Sequence, residues 1–347
     1  MVLLAGNNAQ GNFHLQRYKG KFDAYQRTYV ITAKKGYDID YIKYSLELSL
    51  QHLKRLAQGS QTKFLTMQIL DSFQVLDVPY EEQKALISSV CVIDSKIRLN
   101  YRICAELEAM AKILYDYWFV QFDFPDENGK PYRTSGGEMV WNEQLKRKIP
   151  KEWKTGTIGD LGTIVSGGTP NTSCAEYYCT DGYAWITPND LSGNTDKMFI
   201  SHGERDVTIE GIENSSTVLM PKHTVLLSTR APIGYLVISE NEVCTNQGFK
   251  SIVPDTRYSE FYIYYVLKSN IPAIAQQGVG TTFKEVSKET LSGFKIPLPP
   301  IELAERFAAH ILPSCTKRKL LENESNELTK LRDWLLPMLM NGQTCVE

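Results

Sequence analysis

The sequence VCVIDSKIRLNYRICAELEAMAKILYDYW, residues 90–118, carries apolar side chains at alternating steps of three and four. A sustained spacing of about 3.5 residues predicts a helix that keeps one face against a partner helix. At about 1.5 Å per residue the stretch would be roughly 43 Å long, and we expect it to act as a spacer or scaffold. Periodicity alone leaves open a buried helix of an ordinary bundle. The predicted contact face consists of Val90, Ile93, Ile97, Asn100, Cys104, Leu107, Ala111, Leu114 and Trp118.

The helix occurs twice in the chain. When the numbering is shifted by 221, six residues from Pro79 to Leu114 coincide with identical residues from Pro300 to Leu335. Proline suits the first turn of a helix, because its missing N–H loses no bond there. Such repetition predicts two related units that each end in a long helix. We therefore predict spacer helices over residues 79–118 and 300–347, the latter including a C-terminal tail, that pack against each other. The second helix would use Leu321, Leu328 and Leu335.

The segments before the two helices are also related, but they differ in length. Val2-Leu3-Leu4 matches Val225-Leu226-Leu227 at a shift of 223, so residues 1–78 correspond only to the later part of the second segment. We expect the first domain to be truncated at its front. Short β-rich runs separated by turn residues fill residues 154–299, which predicts an α+β chain with a complete second domain. Residues 119–153 are rich in Pro, Gly and charge, and they are predicted to form a surface linker.

Composition limits the class of protein. The chain of 347 residues is long enough for two domains, and its 42% hydrophobic and 22% charged content is typical of a soluble globular protein. No signal peptide or membrane span is predicted, because no apolar stretch approaches the necessary length. The seven scattered cysteines predict reduced thiols of the cytoplasm and no metal site. A net charge of −2 argues against an autonomous, charge-driven nucleic-acid binder, while a local basic patch remains open.

The sequence lacks the motifs of the enzymes considered. Residues 188–190, Pro-Asn-Asp, do not form the signature of an adenine methyltransferase, and no phosphate-binding GxxxxGK[ST] loop occurs. Asp126 and Lys130 superficially suggest a nuclease motif, but a second carboxylate at the required spacing is missing. The five histidines form no recognisable triad with a nucleophile. We therefore predict no catalytic residues, no metal ligands and no enzymatic activity.

Four stretches of this chain resemble one known family. They are residues 116–123 (DYWFVQFD), 149–153 (IPKEW), 167–170 (GGTP) and 328–337 (LTKLRDWLLP). Together with the repeat, they resemble the specificity subunits of type I restriction–modification systems, and the resemblance covers essentially the whole chain. The missing front of the first domain is the one departure from the pattern.

The resemblance implies an architecture and a set of partners. Two β-rich target-recognition domains with flanking helices would each contact one half of a bipartite site in double-stranded DNA. Two long antiparallel, coiled-coil-like helices would hold these domains a fixed distance apart and dock two modification (methyltransferase) subunits, and restriction/translocase subunits would join that core. S-adenosylmethionine, ATP and magnesium would then belong to partner subunits, in the cytoplasm of a bacterium or archaeon. The truncated first domain leaves a homodimer open.

The polar, glycine-rich loops of the second domain are the candidate DNA-contacting segments. Direct readout of bases uses Arg on guanine and Asn or Gln on adenine, while hydroxyls and Lys contact phosphates. The alternative is that these turns only shape the fold, with Gly168 and Pro170 the clearest examples and side chains capping local backbone. The candidates are Thr169, Asn171, Ser228, Thr229, Arg230, Asn246, Gln247, Thr281, Thr282 and Lys284.

The first segment and Asn100 each admit two interpretations. Asn7, Asn8 and Gln10 lie near the place of Arg230 in the second copy, although half a domain is missing around them. A basic run from Arg17 to Lys35 is either a solvated face or a phosphate contact. Asn100 either fixes the register of the paired helices or faces solvent.

We predict a non-catalytic DNA-recognition subunit whose second domain reads one half-site and whose helices dock methyltransferase subunits. The alternative is a truncated or silent variant that binds methyltransferase subunits without independent DNA specificity.

Overall fold

The computed structural model describes residues 1–193, 196–280 and 284–341. Contacts divide the chain into two compact units. Unit 1 consists of Met1–Tyr101 with the described residues from Asn323 onward, and unit 2 consists of Arg102–Glu322. Each of the two long helices contributes one portion to each unit.

Unit 1 is built around a short central strand. The strands are β1 (Val2–Ala5), β2 (Asn7–Asn8), β3 (Leu15–Arg17), β4 (Thr28–Ile31) and β5 (Lys63–Phe64). The helices are α1 (Ile39–Leu56), α2 (Met67–Asp71) and the first portion of α3 (Tyr80–Tyr115). Strand β1 lies between β3 and β4, antiparallel to both. Alternate residues Val2 and Leu4 point to one face and are fully buried, and Leu4 packs with Leu46 and Leu53 of α1.

Unit 2 contains two larger sheets. Its strands are β6 (Met139–Asn142), β7 (Arg147–Pro150), β8 (Lys154–Thr157), β9 (Gly162–Ser166), β10 (Tyr178–Cys179), β11 (Tyr183–Ile186), β12 (Phe199–Ile200), β13 (Arg205–Val207), β14 (Val225–Ser228), β15 (Leu236–Ser239), β16 (Val243–Thr245), β17 (Phe249–Pro254) and β18 (Lys295–Leu298). Its helices are α4 (Pro188–Ser192), α5 (Ile209–Glu213), α6 (Glu260–Gln276), α7 (Lys288–Ser292) and the first portion of α8 (Ile301–Met340).

Strand β14 is the central strand of one larger sheet, and one of its faces packs against the other sheet. One sheet has the order β12-β15-β14-β17-β9 and the other β10-β13-β11-β16. Leu226 of β14 packs with Ile186 and Val243 of the second sheet. The neighbouring residues Val225 and Leu227 face the main core, which also contains residues of α6 and α8. A strand buried on both faces requires a continuous apolar run, which explains the Val-Leu-Leu sequence.

The two units repeat one local structure. Val2 of β1 pairs with Ile31 of β4, and Val225 of β14 pairs in the same way with Ile252 of β17. Helices α1 and α6 begin 221 residues apart, each after an N-cap side chain that accepts a backbone N–H. Helices α2 and α7 also begin 221 residues apart, and each follows an N-cap side chain that accepts a backbone N–H. The predicted internal repeat is therefore confirmed.

In unit 1, α3 and α8 run antiparallel along a mixed apolar and polar seam. Asn100 contacts Ser325, whereas Asp94, earlier in the chain, contacts Arg332, later in the chain. Asn100 is fully buried, and its Nδ2 donates to Glu324 Oε2 at 2.8 Å and to Ser325 Oγ at 3.2 Å. The predicted position of Asn100 in the seam is confirmed. Its role in setting the register stays a prediction.

A buried carboxylate lies in the unit 1 seam. Asp94 accepts hydrogen bonds from Tyr44 Oη at 2.7 Å, Lys43 Nζ at 3.1 Å and Arg332 Nη1 at 3.2 Å. Burial opposes ionisation of this carboxyl group, but these bonds and the Lys43 charge outweigh it and hold the pKa of Asp94 below its usual value. The cluster joins α1, α3 and α8.

In unit 2, the seam contains a second charged cluster. Arg318 and Glu322 are buried, and Arg318 Nε donates to Glu322 Oε1 at 2.7 Å. Arg318 also forms an ion pair with Glu108 of α3. Glu322 accepts the backbone N–H groups of Met198 and Phe199, both at 3.0 Å, so α8 is tied to the start of β12. Burial raises the pKa of the Glu322 carboxyl group.

The predicted contact faces of the two helices are only partly correct. Val90, Ile97, Cys104 and Leu321 are buried as predicted. Half-buried positions flanking the seam are occupied by Leu107, Leu114, Leu328 and Leu335. Several residues of α8 that are buried in the seam are polar. A search for apolar periodicity cannot detect a contact face made of such residues. These buried polar residues are Arg318, Glu322 and Ser325.

The segment predicted to be a surface linker contributes to the core of unit 2. Helix α3 continues into a π-helical turn, Asp116–Val120, which places Phe119 in the main cluster. Phe122, Ile149 and Trp153 join the same cluster. The Pro, Gly and charge content that suggested a linker describes only the middle of this segment, and its aromatic ends pack inside.

Asp94→Asn should lower the free energy of unfolding by about 3 kcal/mol at pH 7, because Lys43 and Arg332 lose their buried counter-charge. The folded-state pKa of Asp94 is lowered, so its stabilising effect is complete above the unfolded value of about 3.9 and is lost as the pH falls through the folded value. The difference between variant and wild type should therefore shrink below about pH 4.

Denaturant titration at neutral and acidic pH measures this difference. Asp333→Asn removes an exposed carboxylate beside Arg332 and is the matched control, with an expected cost below about 1 kcal/mol. Equal stability of the Asp94 variant and the wild type at pH 7 would show that the buried cluster does not stabilise the chain.

Candidate nucleic-acid interface

Three loops of unit 2 meet beside the ends of its two larger sheets. They follow β9, β14 and β16, and they are joined by backbone hydrogen bonds. Gly168 N donates to Thr245 O at 2.8 Å, and Thr229 N donates to Gly248 O at 2.8 Å. The loops are therefore fixed relative to one another by main-chain contacts, independently of their outward side chains.

The exposed edge of these loops carries the best-placed candidates. Arg230 and Gln247 are exposed, and Asn246 is half-buried. They line an open cavity of about 400 Å³ together with Pro188, Ala231 and Gly248. Thr169 Oγ1 donates to Gln247 Oε1, and Asn246 Oδ1 accepts from Gly248 N at 3.0 Å. The structure thus brings together Thr169, Arg230, Asn246 and Gln247 from separate loops.

Ser228 and Thr229 are buried, which corrects their prediction as DNA contacts. Ser228 Oγ donates to Pro232 O at 2.8 Å and accepts from Tyr235 N at 2.8 Å. Thr229 Oγ1 lies 3.4 Å from Gly248 O. Both hydroxyls shape the loop that presents Arg230, and neither is exposed to an external ligand. The sequence shows that these residues are polar, but it does not show that β14 is buried as far as its last residue, Ser228.

Asn171 and Lys284 lie outside the cavity lining. Asn171 Oδ1 accepts from the backbone N of Ser173 at 3.1 Å and from its Oγ at 2.8 Å, as in a local turn. Lys284 is exposed and immediately precedes Glu285, whose backbone pairs with that of Arg230. Thr281 and Thr282 lie outside the described residues.

The Gly-Gly-Thr-Pro turn shapes the fold, as the structural interpretation of Gly168 and Pro170 predicted. Trp185 Nε1 donates to Gly168 O at 3.1 Å, and Tyr178 Oη donates to Pro170 O at 2.8 Å. A Cβ on Gly167 would lie 1.9 Å from Asn246 O, so only glycine permits this approach.

Sequence reasoning missed two residues that build this edge. Trp185 anchors the turn after β9, and Pro188 forms part of the cavity wall at the start of α4. The Thr187-Pro188 step, with Asp190 completing a capping box, is a recognisable helix start that could have placed Pro188 at a helix N-terminus.

The corresponding region of unit 1 is also polar. Asn7 pairs with Phe64 in the β2–β5 ladder, as Arg230 pairs with Glu285 in unit 2. Asn8 Oδ1 accepts from Gln10 N at 2.8 Å, so this side chain supports its own turn. Arg17, assigned to the basic run, is paired with Asp40 at 2.7 Å.

The stretches at 116–123 and 149–153 lead into a different part of unit 2. A cavity of about 680 Å³ there is lined by residues that include Phe124, Tyr132 and Trp153. The Phe124 ring stacks on those of Tyr132 and Trp153 at centroid distances of 4.7 Å and 5.6 Å. Asp126, considered above as part of a nuclease motif, accepts the backbone N–H groups of Asn128 and Lys130, both at 2.8 Å. This carboxylate is therefore engaged in a turn.

Within the described ranges, no group of three His, Cys, Asp or Glu side chains is placed to hold a metal ion. No helix in the described part of the chain is long and apolar enough to cross a membrane.

The structure thus combines a repeated α+β unit with an exposed edge of amide and guanidinium groups, which can bind a ligand through hydrogen bonds. Residues 150–330, more than half of the chain, match the type I restriction modification DNA specificity domain, and the chain belongs to this family. The resemblance inferred from the sequence is thereby confirmed.

Two relatives show how far the similarity extends. The type I restriction enzyme MjaIX specificity subunit of Methanocaldococcus jannaschii is 35% identical over 207 residues, which cover 56% of this chain and 48% of the relative. The chain thus spans about half the length of that relative. The type I restriction enzyme HindI specificity subunit of Haemophilus influenzae is 24% identical over 347 residues, covering 84% of this chain and 74% of the relative.

A solved structure supports the fold. The type I restriction–modification system S subunit from M. genitalium superposes with a TM-score of 0.54 at 14% identity, covering 97% of this chain and 82% of that one. The predicted α+β class with long helices is confirmed.

Gly167→Ala should destabilise unit 2 by about 1–3 kcal/mol, because the added methyl group overlaps backbone that cannot move independently. Gly193→Ala is the matched control, since a Cβ there meets nothing within 4 Å and no cost is expected. Thermal unfolding and protease resistance measure the difference. Equal behaviour of the two variants would contradict the close approach of the loops.

Proposed function

We propose that the chain is the non-catalytic DNA-recognition subunit of a type I restriction–modification complex, and that unit 2 reads one half of a bipartite site. The observation that carries this proposal is the convergence of Arg230, Asn246 and Gln247 at an exposed edge, within the family-matched region. Guanidinium and amide groups are the side chains that most often read base edges. The recognition domain is assigned to residues 154–299, as predicted from the sequence.

The weak overall charge fits recognition within a larger complex. A net charge of −2 supplies no general attraction to DNA, so part of the affinity must come from partner subunits. Binding should still weaken with salt, because Arg and Lys contacts to DNA release counter-ions.

We assign the outer faces of the long helices α3 (Tyr80–Tyr115) and α8 (Ile301–Met340) to docking of methyltransferase subunits. In unit 2, Met110 and Ile113 on α3 are 64% and 68% exposed. In unit 1, Val92 on α3 and Trp334 on α8 are 69% and 59% exposed. Met110 and Ile113 are three residues apart and therefore lie on one face of α3, and contiguous exposed apolar surface marks protein contacts.

The remaining parts of the complex follow from the same proposal. Restriction/translocase subunits would join the docked methyltransferase subunits, and S-adenosylmethionine, ATP and magnesium would bind to partners. A homodimer of this chain would supply two identical recognition domains, and the recognised site would then consist of inverted halves.

Arg230→Ala combined with Gln247→Ala should reduce site-specific methylation at least about tenfold, since two base-reading groups are removed. The complex of the full chain with its cognate methyltransferase subunits is assayed by methyl transfer to DNA, and its assembly by gel filtration. Lys295→Ala, an exposed cation of unit 2 outside the cavity, is the control and should retain activity. Unchanged methylation by the double variant would exclude this edge from recognition.

Ile113→Glu should weaken binding of the methyltransferase subunit about tenfold or more, because a carboxylate would be placed in an apolar interface. Ala105→Glu adds the same charge at another exposed position of α3 and is the matched control. Calorimetry or analytical centrifugation measures the affinity. Wild-type affinity of the Ile113 variant would locate the docking surface elsewhere.

A further inference from the structure

Three polar side chains line the cavity between the loops after β14 and β16. Its polar side chains are Arg230, Asn246 and Gln247, while Pro188, Ala231 and Gly248 offer no polar side-chain atoms. An arginine is a donor only, and a neutral amide has a donor end and an acceptor end. The orientation of the two amides therefore decides what the cavity can recognise.

Both amides have their acceptor ends engaged within the protein. Gln247 Oε1 accepts from Thr169 Oγ1, and Asn246 Oδ1 accepts from Gly248 N at 3.0 Å. The oxygen and the NH2 group of a planar amide lie on opposite sides of its terminal carbon. The Gln247 oxygen faces Thr169 of another loop and the Asn246 oxygen faces Gly248 N of its own loop, which leaves the two NH2 groups as the ends available to a ligand.

The guanidinium of Arg230 adds further donors to the same cavity. Arg230 is exposed, and none of the described residues forms a hydrogen bond or an ion pair with its side chain. The backbone of Glu285 pairs with that of Arg230, but the Glu285 carboxylate lies 3.4 Å from Lys250 Nζ. The cavity thus presents side-chain donors and no free carboxylate from these neighbours.

We propose that this cavity selects guanine in the recognised half-site, through the N7 and O6 acceptors that guanine presents in the major groove. This inference rests on the proposed function of unit 2. Guanine presents two acceptors side by side, whereas adenine presents an acceptor and a donor and cytosine presents a donor. Bidentate reading of adenine uses both ends of one amide, and in Asn246 and Gln247 the oxygen already accepts a hydrogen bond within the protein.

Thr169 is a positioning residue in this scheme. Its hydroxyl donates to Gln247 Oε1, so the amide oxygen faces Thr169 and the NH2 group faces away from it. Phosphate oxygens are also acceptors, but a phosphate contact tolerates a rotating donor and carries no base preference. A fixed amide is of use when one base edge must be distinguished from another.

The test uses the full chain in complex with its cognate methyltransferase subunits. Duplexes bound from a random library define the half-site, and binding is then measured to three versions of it. One is unmodified, one carries 7-deazaguanine in place of guanine, and one carries methylphosphonate linkages at the flanking phosphates. Loss of the N7 acceptor should weaken binding about tenfold at the contacted guanine.

Two variants test the orientation of the Gln247 amide. Thr169→Val should reduce discrimination of guanine over adenine about tenfold at one position, with a smaller change in affinity for unselected DNA. Gln247→Glu keeps the side-chain shape but replaces the donor by an oxygen, so it should lose the guanine preference at that position. Thr163→Val, an exposed threonine on β9, is the control and should keep the preference.

The outcomes separate this inference from the proposed function. Sequence-specific binding to a half-site without guanine, or binding unaffected by 7-deazaguanine, would overturn the donor-cavity proposal and leave DNA recognition intact. Sensitivity to methylphosphonate alone would also overturn it, because the donors would then contact phosphate. If the assembled complex showed no sequence preference, the proposed function of unit 2 in DNA recognition would itself be contradicted.

Discussion

In unit 2, the backbone of the loop after β9 contacts the backbone of β16 and of the loop after it. The positions of the candidate recognition side chains depend on this contact. Gly168 N donates to Thr245 O, and Gly167 approaches Asn246 so closely that a methyl group has no space. Because β9 and β16 belong to different sheets, the contact joins the two sheets where their loops begin. It places Thr169 within hydrogen-bonding reach of Gln247. Side chains on such a fixed base can present one set of donors without first being ordered by DNA.

The long helices depend on a second kind of constraint. Each unit holds an ion pair between the two helices in the seam, Asp94 with Arg332 in unit 1 and Glu108 with Arg318 in unit 2. Apolar residues alone would allow a helix to slide by a turn with little loss of contact. Displacing a buried charge from its partner costs several kcal/mol, or about 3–5 kcal/mol when one partner is removed. Within each unit, polar pairs at defined positions therefore favour one register of the two helices.

Sequence patterns predicted those features that depend on local residue order. The repeat at a shift of 221 and the long helix ending near Trp118 follow from spacing, and both are present. The seam of α8 could not be predicted in the same way, because buried Arg318 and Glu322 look like surface residues in sequence. The aromatic residues at both ends of segment 119–153 were wrongly predicted to lie on the surface. The composition of the whole segment is dominated by its polar, exposed middle, and this concealed the buried ends.

The candidate site was predictable only as a set of loops. Arg230 and Gln247 were selected by residue type, and the structure places both at one cavity. Ser228 and Thr229 were selected by the same reasoning, yet both are buried and bonded internally. Which end of an amide faces outward depends on tertiary contacts, such as the one between Thr169 and Gln247, that no local pattern records.

We propose that this chain gives a methyltransferase complex its DNA sequence preference. The decisive experiment is a genome-wide map of methylated adenines in cells that express the chain with its cognate methyltransferase subunit. We expect methylation at one bipartite sequence motif, and this methylation should disappear when the chain is omitted. An assembled complex that methylates no defined motif would instead identify the chain as a docking protein without its own DNA specificity.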